Sequence, residues 1–186
     1  EACGRMLKPV VLELGGKDPM IVFKDADLRR AVRGALWGGF ANSGQTCISV
    51  ERVYVEKVIY NEFISLLKEE YGKIKQGSKE EFPSVGSMTL PRQVDIVESH
   101  YKDAKAKGAF FVAGGKRLLT EKGLFHEPAI VIGVNHEMKI MSEETFGPEI
   151  SVMEFNTEEE AIALANDSEY GLSASIWTED SRKAKA

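Results

Sequence analysis

Cys47 is the residue of this sequence best placed for covalent chemistry. It closes the stretch Asn42-Ser43-Gly44-Gln45-Thr46-Cys47, a glycine-broken turn that follows an amphipathic helical pattern. A thiol on such a turn can face a cleft, and its thiolate is a nucleophile once backbone amides, a helix end or a cation lower its pKa. Gly44, with small Ser43 and Thr46, frees the backbone to turn amide hydrogens toward the sulfur, where they could also hold an oxyanion formed on an attacked carbonyl. Upstream, Leu12-Glu13-Leu14-Gly15-Gly16-Lys17 sets one carboxylate in an apolar run beside two glycines that admit close approach to the backbone. Desolvation there would raise the Glu13 pKa and make it a general base near neutrality. Taken singly, the same residues also fit an inert buried cysteine and a carboxylate on a solvated strand face.

A third stretch, Glu143-Glu144-Thr145-Phe146-Gly147-Pro148, packs two acids, an aromatic ring and a Gly-Pro turn into six residues. It suits hydrogen bonding to sugar hydroxyls with the ring against a planar group, and an ordinary surface turn fits it nearly as well. The histidines add little: His100, His126 and His136 have no metal-ligand spacing, and His136-Glu137 lacks the second His of a metalloprotease helix. No metal site is expected. No motif sets a histidine beside Cys47 as a Cys-His hydrolase needs, and Gly15-Gly16-Lys17 lacks the preceding Gly and following Ser or Thr of a phosphate loop.

These residues depend on the elements that carry them. Pro9 to Leu14 and Met20 to Phe23 are short apolar runs that read as buried strands. Asp25 or Asp27 caps a helix through Leu28, Val32, Leu36 and Phe40, which delivers the chain to Cys47. Arg52 to Glu56 reads as a strand, and Ile59, Phe63, Leu66, Leu67, Tyr71 and Ile74 mark a long helix ending near Gly77. Pro91 opens another helix with Val94, Val97, Tyr101 and Ala104 on one face and Gly108 as its stop. Strands follow at Ala109 to Ala113, Pro128 to Ile132 and Ile150 to Phe155; Thr157 with Glu160 forms a capping box, and Leu172 to Trp177 closes as a strand. Apolar strands separated by helices give an α/β fold, a three-layer αβα arrangement with a mostly parallel sheet and helices on both faces.

One domain over residues 1–186 is expected from 186 residues that are 43% hydrophobic and 28% charged. The charged Lys75 to Glu81 region reads as a surface loop rather than a linker. With 24 Lys and Arg against 29 Asp and Glu, and no basic stripe, the electrostatic footprint of a nucleic-acid binder is missing. No window reaches the roughly 20 apolar residues of a membrane helix. Cys3 and Cys47 form neither a zinc pattern nor a disulfide framework, which favours a reducing compartment. Both ends read as interrupted: Glu1 stands just before an expected strand, and Thr178 to Ala186 as an N-cap with an unfinished helix, as in a piece cut from a longer protein.

Together, Leu12-Glu13-Leu14-Gly15-Gly16-Lys17, Gly44-Gln45-Thr46-Cys47, Glu143-Glu144-Thr145-Phe146-Gly147-Pro148 and Asn166-Asp167-Ser168-Glu169-Tyr170-Gly171-Leu172-Ser173-Ala174 resemble, in that order, the aldehyde dehydrogenase superfamily. The resemblance runs from end to end but covers only the catalytic domain of that family. It implies that Cys47 is the nucleophile and Glu13 the general base. It further implies that Glu144 holds a nicotinamide ribose, with Phe146 packed beside it and Leu14 and Gly15 next to the cofactor. The expected reaction is oxidation of a small-molecule aldehyde to a carboxylic acid through a thiohemiacetal and a thioester on Cys47, with NAD or NADP. Trp37 and Ile48 are candidate pocket walls. Homo-oligomeric assembly and a cytoplasmic location, with the mitochondrion as alternative, follow from the same likeness. An enzyme-like domain used for binding, its site dormant, is the competing reading.

Overall fold

The computed structural model describes residues 1–78, 83–118, 120 and 123–185. A single helical turn, α1 (Ala2–Arg5), precedes an arm over residues 8–17 with no regular structure. The strand expected over Pro9 to Leu14 is absent. Val10, Val11, Leu12 and Leu14 are exposed, and the first strand, β1 (Asp18–Val22), begins only after the arm. An apolar run becomes a strand where a neighbouring ladder takes up its backbone groups, and the arm pairs with no strand among the described residues.

Asp27 caps α2 (Leu28–Phe40) by accepting from the Arg30 amide at 3.1 Å, and Ala31, Val32, Ala35, Leu36 and Phe40 form its buried stripe. A 3-10 turn, Ala41–Gly44, leads toward β2 (Val50–Glu56). Next, α3 (Lys57–Tyr71) buries Phe63 and Leu67. It stops at Gly72 rather than near Gly77, because the Lys73 and Ile74 amides already turn back to the Glu70 and Tyr71 carbonyls at 3.1 and 2.9 Å. Of the expected Lys75 to Glu81 loop, residues 79–82 lie outside the described residues.

Pro91 occupies the first position of α4 (Pro91–Ala106), whose inner face is Val94, Val97, His100, Tyr101 and Ala104. Gly108, at φ +93°, ends it as expected. Then come β3 (Phe110–Ala113), the paired β4 (Arg117–Leu118) and β5 (Phe125–His126), and β6 (Ala129–Ile132). The chain finishes with α5 (Lys139–Ser142), β7 (Glu149–Phe155), α6 (Glu158–Asn166), β8 (Ser175–Trp177) and a 3-10 turn over Lys183–Lys185. At the start of α6 the Thr157 hydroxyl accepts from the Glu160 amide at 3.2 Å, while Glu160 returns its carboxylate to the Asn156 amide at 2.7 Å.

The main sheet has the order β3-β6-β7-β2-β1-β8, parallel throughout except for β3 at one edge. Successive residues serve opposite faces, as the pleat requires. Met20, Val22, Val53, Val55, Ile150 and Val152 pack with α2 and α3, whereas Ile21, Phe23, Tyr54, Val131 and Phe155 pack with α4, α5 and α6. The result is the expected three-layer α/β architecture, with central strands buried on both sides. Each fully buried Val or Leu here contributes roughly 1.5–3 kcal/mol, so the strands that carry the site are held firmly.

Candidate active site

The four segments singled out in the sequence each lead into a strand: residues 12–17 into β1, 44–47 through Ile48 and Ser49 into β2, 143–148 into β7 and 166–174 into β8. Those strands are consecutive in the sheet, as β7-β2-β1-β8, and mutually parallel, so the segments converge at its amino-terminal end. Ligands of open α/β sheets usually sit at the carboxyl end. Here the segments singled out in the sequence lie opposite.

Cys47 is partly buried and unpaired, on a turn closed by the Ser49 amide donating to the Thr46 carbonyl at 2.9 Å. Before it, Asn42, Ser43 and Gly44 all hold positive φ, at +53°, +58° and +68°. Two side-chain conformers without a glycine's freedom in that region are strained, at about 1–3 kcal/mol each, and a dense bonding pattern keeps them there. Asn42 Nδ2 donates to the Gln45 carbonyl at 3.0 Å, Gln45 Nε2 to the Asn42 carbonyl at 3.1 Å, and Ser43 Oγ to the Gly86 carbonyl at 3.0 Å. Gly44 abuts Gly147 and Pro148 so tightly that a Cβ would overlap the Gly147 carbonyl.

Gly15 and Gly16 form the wedge between the thiol turn and the Glu144 loop. A Cβ on Gly16 would overlap the Cys47 carbonyl oxygen, and one on Gly15 would lie 2.9 Å from each Glu144 carboxylate oxygen. The Gly16 amide donates to Glu144 Oε1 at 2.9 Å. Burial raises the Glu144 pKa, partly offset by that hydrogen bond. Tyr170 Oη accepts from the Glu144 amide at 3.4 Å, and the Ser173 amide donates to Asp18 Oδ1 at 3.1 Å, which joins the last segment to the others. Leu14 is exposed on the arm beside Gly15, and Phe146, half-buried, holds a left-handed φ of +47°.

Glu13 is exposed on the arm rather than desolvated within a strand. It stands three residues before Gly16, whose backbone touches Cys47. Trp37 and Ile48 are exposed and share a groove of ≈ 320 Å³ with Gly38, Val50 and Trp177.

The sequence reading missed a buried polar layer beneath the wedge. Lys17 Nζ bonds Glu51 Oε2 at 2.5 Å, Thr145 Oγ1 at 3.1 Å and Glu149 Oε1 at 3.5 Å, all with buried side chains. His100 bonds Thr145 Oγ1 at 3.1 Å and Glu143 Oε2 at 3.3 Å, and burial lowers its pKa. Burial also raises Glu149 to about 7 and Asp18 to about 6, and Asp18 Oδ2 has no hydrogen-bond partner among the described residues. Arg52 crosses the layer: its Nε donates to the Lys17 carbonyl at 2.8 Å, and its other nitrogens reach the Ala165, Leu164 and Asp167 carbonyls at 3.0, 3.2 and 3.4 Å. The one available signal was charge inside strand patterns, at Glu51, Arg52 and Glu149, where a sheet covered on both faces has no water to offer. Among the described residues no group of three or more His, Cys, Asp or Glu could hold a metal ion, and no helix is long and apolar enough to cross a membrane.

Comparison with known proteins agrees with this geometry. A family model described as the aldehyde dehydrogenase family matches residues 1–186. The chain is 51% identical over 177 residues to a 4,4'-diapolycopene aldehyde oxidase of Methylomonas sp, covering 95% of this chain and 32% of that protein. It is 45% identical over 181 residues to the betaine aldehyde dehydrogenase of Brucella ovis, covering 95% of this chain and 37% of the relative. Among solved structures, betaine aldehyde dehydrogenase from Staphylococcus aureus in complex with NAD+ superimposes with a TM-score of 0.91 at 39% identity, over 98% of this chain and 37% of the other. An NAD-dependent aldehyde dehydrogenase from Sinorhizobium meliloti gives a TM-score of 0.93 at 39% identity, over 98% and 36%. The chain thus spans about a third of the length of the relatives it matches. Matched from end to end, and with its four ordered segments gathered at one end of one sheet, the chain belongs to the aldehyde dehydrogenase family.

Proposed function

We propose that these residues form the catalytic portion of a longer NAD(P)-dependent aldehyde dehydrogenase that oxidises a small-molecule aldehyde to a carboxylic acid. The observation that carries this reading is the Gly15-Gly16 wedge, which contacts the Cys47 carbonyl on one side and the Glu144 carboxylate on the other. A nucleophile and a carboxylate able to accept from ribose hydroxyls are thereby held within one short stretch of backbone. Its two glycines let the backbone come that close, since a Cβ at either would meet the Cys47 carbonyl or the Glu144 carboxylate.

The Cys47 thiolate adds to the aldehyde carbon, forming a carbon–sulfur bond and an oxyanion that the Cys47 backbone amide helps to hold. Loss of hydride from this carbon turns it into a thioester carbonyl; a nicotinamide dinucleotide, when bound, would supply the acceptor for that hydride. Glu13 takes a proton from water, whose oxygen bonds to the same carbon; the carbon–sulfur bond then breaks, releasing the acid and restoring the thiolate. The exposure of Glu13 gives water ready access to its carboxylate. Glu144, Phe146, Gly15 and Leu14 are the residues of this chain that would hold the cofactor. The half-buried Glu144 carboxylate beside two side-chain-free positions fits that part. NAD+ in the solved S. aureus relative supports the cofactor class. A homo-oligomer in the cytoplasm is part of the proposal on the family likeness alone.

A panel of small aldehydes offered with NAD+ and NADP+ to the complete polypeptide carrying these residues tests the reading. Cofactor reduction that disappears in Cys47→Ala supports it, and its absence across the panel overturns it.

A further inference from the structure

Glu51 lies on β2, four residues beyond Cys47, with its side chain almost entirely buried. Three donors from two other site segments converge on its carboxylate. Oε2 accepts from Lys17 Nζ at 2.5 Å and from the Thr145 amide at 2.9 Å, and Oε1 accepts from the Phe146 amide at 2.9 Å. The two amides belong to the residues that directly follow Glu144, and Lys17 directly follows the Gly16 whose own amide binds Glu144 Oε1. One carboxylate therefore joins the thiol-bearing strand, the glycine wedge and the Glu144 loop. Phe146 keeps a left-handed φ of +47°, a conformation a non-glycine residue holds only where its surroundings impose it, and the bond from its amide to Glu51 supplies that constraint.

The chemistry requires a carboxylate at this position. All three partners are donors, so a glutamine of the same size would point its NH2 at the Phe146 amide or at Thr145 and Lys17 together, leaving donor facing donor. Resting on the reading under Proposed function, we propose that Glu51 is a positioning residue. It fixes the Glu144-Thr145-Phe146 turn against Gly15-Gly16-Lys17 and so presets the Glu144 carboxylate for the nicotinamide ribose, without touching substrate or cofactor itself. Two further groups of the layer brace the same turn: Glu149 bonds Lys17 and the Thr145 hydroxyl, and His100 bonds that hydroxyl from α4.

The test uses the complete polypeptide with NAD+ as probe, comparing E51Q, E144Q and the double variant. E51Q should raise the NAD+ dissociation constant about tenfold, while the aldehyde KM and the rate of Cys47 alkylation by iodoacetamide stay within twofold. Because Glu51 acts through Glu144, adding E51Q to E144Q should cost less than a further threefold. Amide hydrogen exchange at Thr145 and Phe146 should quicken about tenfold in E51Q. E51D, which keeps the charge beside Lys17 and withdraws the carboxylate by one methylene, should shift the same readouts in the same direction and serves if E51Q does not fold. NAD+ affinity within twofold of the parent in both variants, or a full tenfold loss repeated on the E144Q background, overturns the assignment. A parent protein that binds no NAD+ sinks the functional reading itself, whereas a parent that binds it with E51Q unaffected sinks only the role of Glu51.

Discussion

Gly16 lies directly against Cys47: its α-carbon carries no side chain because the Cys47 carbonyl oxygen occupies the place a Cβ would take. One residue earlier, Gly15 stands in the same relation to the Glu144 carboxylate, but there the neighbour is the end of a flexible side chain rather than backbone. The two glycines therefore guard different halves of the site.

Gly16→Ala should force the Cys47 turn to move. A loss of about 1–3 kcal/mol in unfolding free energy is expected, together with slower alkylation of Cys47 by iodoacetamide. Gly15→Ala should displace only the Glu144 side chain, at the strain of φ +89°, and so weaken NAD+ binding while alkylation stays close to the parent rate. Identical profiles for the two variants would count against the division.

Glu13→Gln in the complete polypeptide should separate acylation from hydrolysis. A stoichiometric burst of cofactor reduction is expected, followed by steady-state turnover reduced by about a hundredfold or more, with a thioester on Cys47 visible by intact-protein mass spectrometry. Steady-state turnover equal to the parent's would remove Glu13 from the hydrolytic step.

Glu149 gives stability a distinctive pH dependence. Burial holds its pKa near 7 against an ordinary 4.5, with Glu51 adding to the shift and Lys17 opposing it. Between about 4.5 and 7 the folded chain keeps a proton that the unfolded chain releases, so this group makes folding less favourable as pH rises through that window. E149Q keeps an acceptor for Lys17 and the Thr145 hydroxyl but cannot ionise. Relative to the parent, its unfolding free energy should therefore gain on the order of 1–3 kcal/mol between pH 5 and 7.5, read by urea denaturation. A constant difference across that range would show that Glu149 titrates normally.

The 186 residues on their own should bind NAD+ poorly by calorimetry and show no dehydrogenase turnover. Hydrolysis of an activated ester such as p-nitrophenyl acetate should persist and vanish in Cys47→Ala, since acyl transfer to a thiolate needs no hydride acceptor. Tight NAD+ binding to this chain alone would contradict the first expectation.

Local signals told most of the fold. Pro91 and Gly108 bracket α4, Asp27 caps α2, and of the apolar positions expected inward all four of α4 and Val32, Leu36 and Phe40 of α2 are buried, while Leu28 is only partly so. The arm misled because Val10, Val11, Leu12 and Leu14 have strand composition, yet composition does not provide a partner strand. The order of segments leading to Cys47, Glu144 and the wedge was legible, being carried by short contiguous motifs. The Lys17, Glu51 and Glu149 layer was not, since its members are 34 and 132 residues apart and only the β7-β2-β1 strand order brings them together.

Arg52 reaches across to the end of α6 by holding main-chain carbonyls rather than side chains. Positions 165 and 167 can therefore drift in identity without loosening that connection, whereas a lysine at position 52, with a single ammonium, cannot span the Lys17 carbonyl and the helix end at once. In a saturation screen, position 52 should tolerate no replacement of its guanidinium, while changes at 165 and 167 should register only through what their own side chains touch, the apolar core and His136.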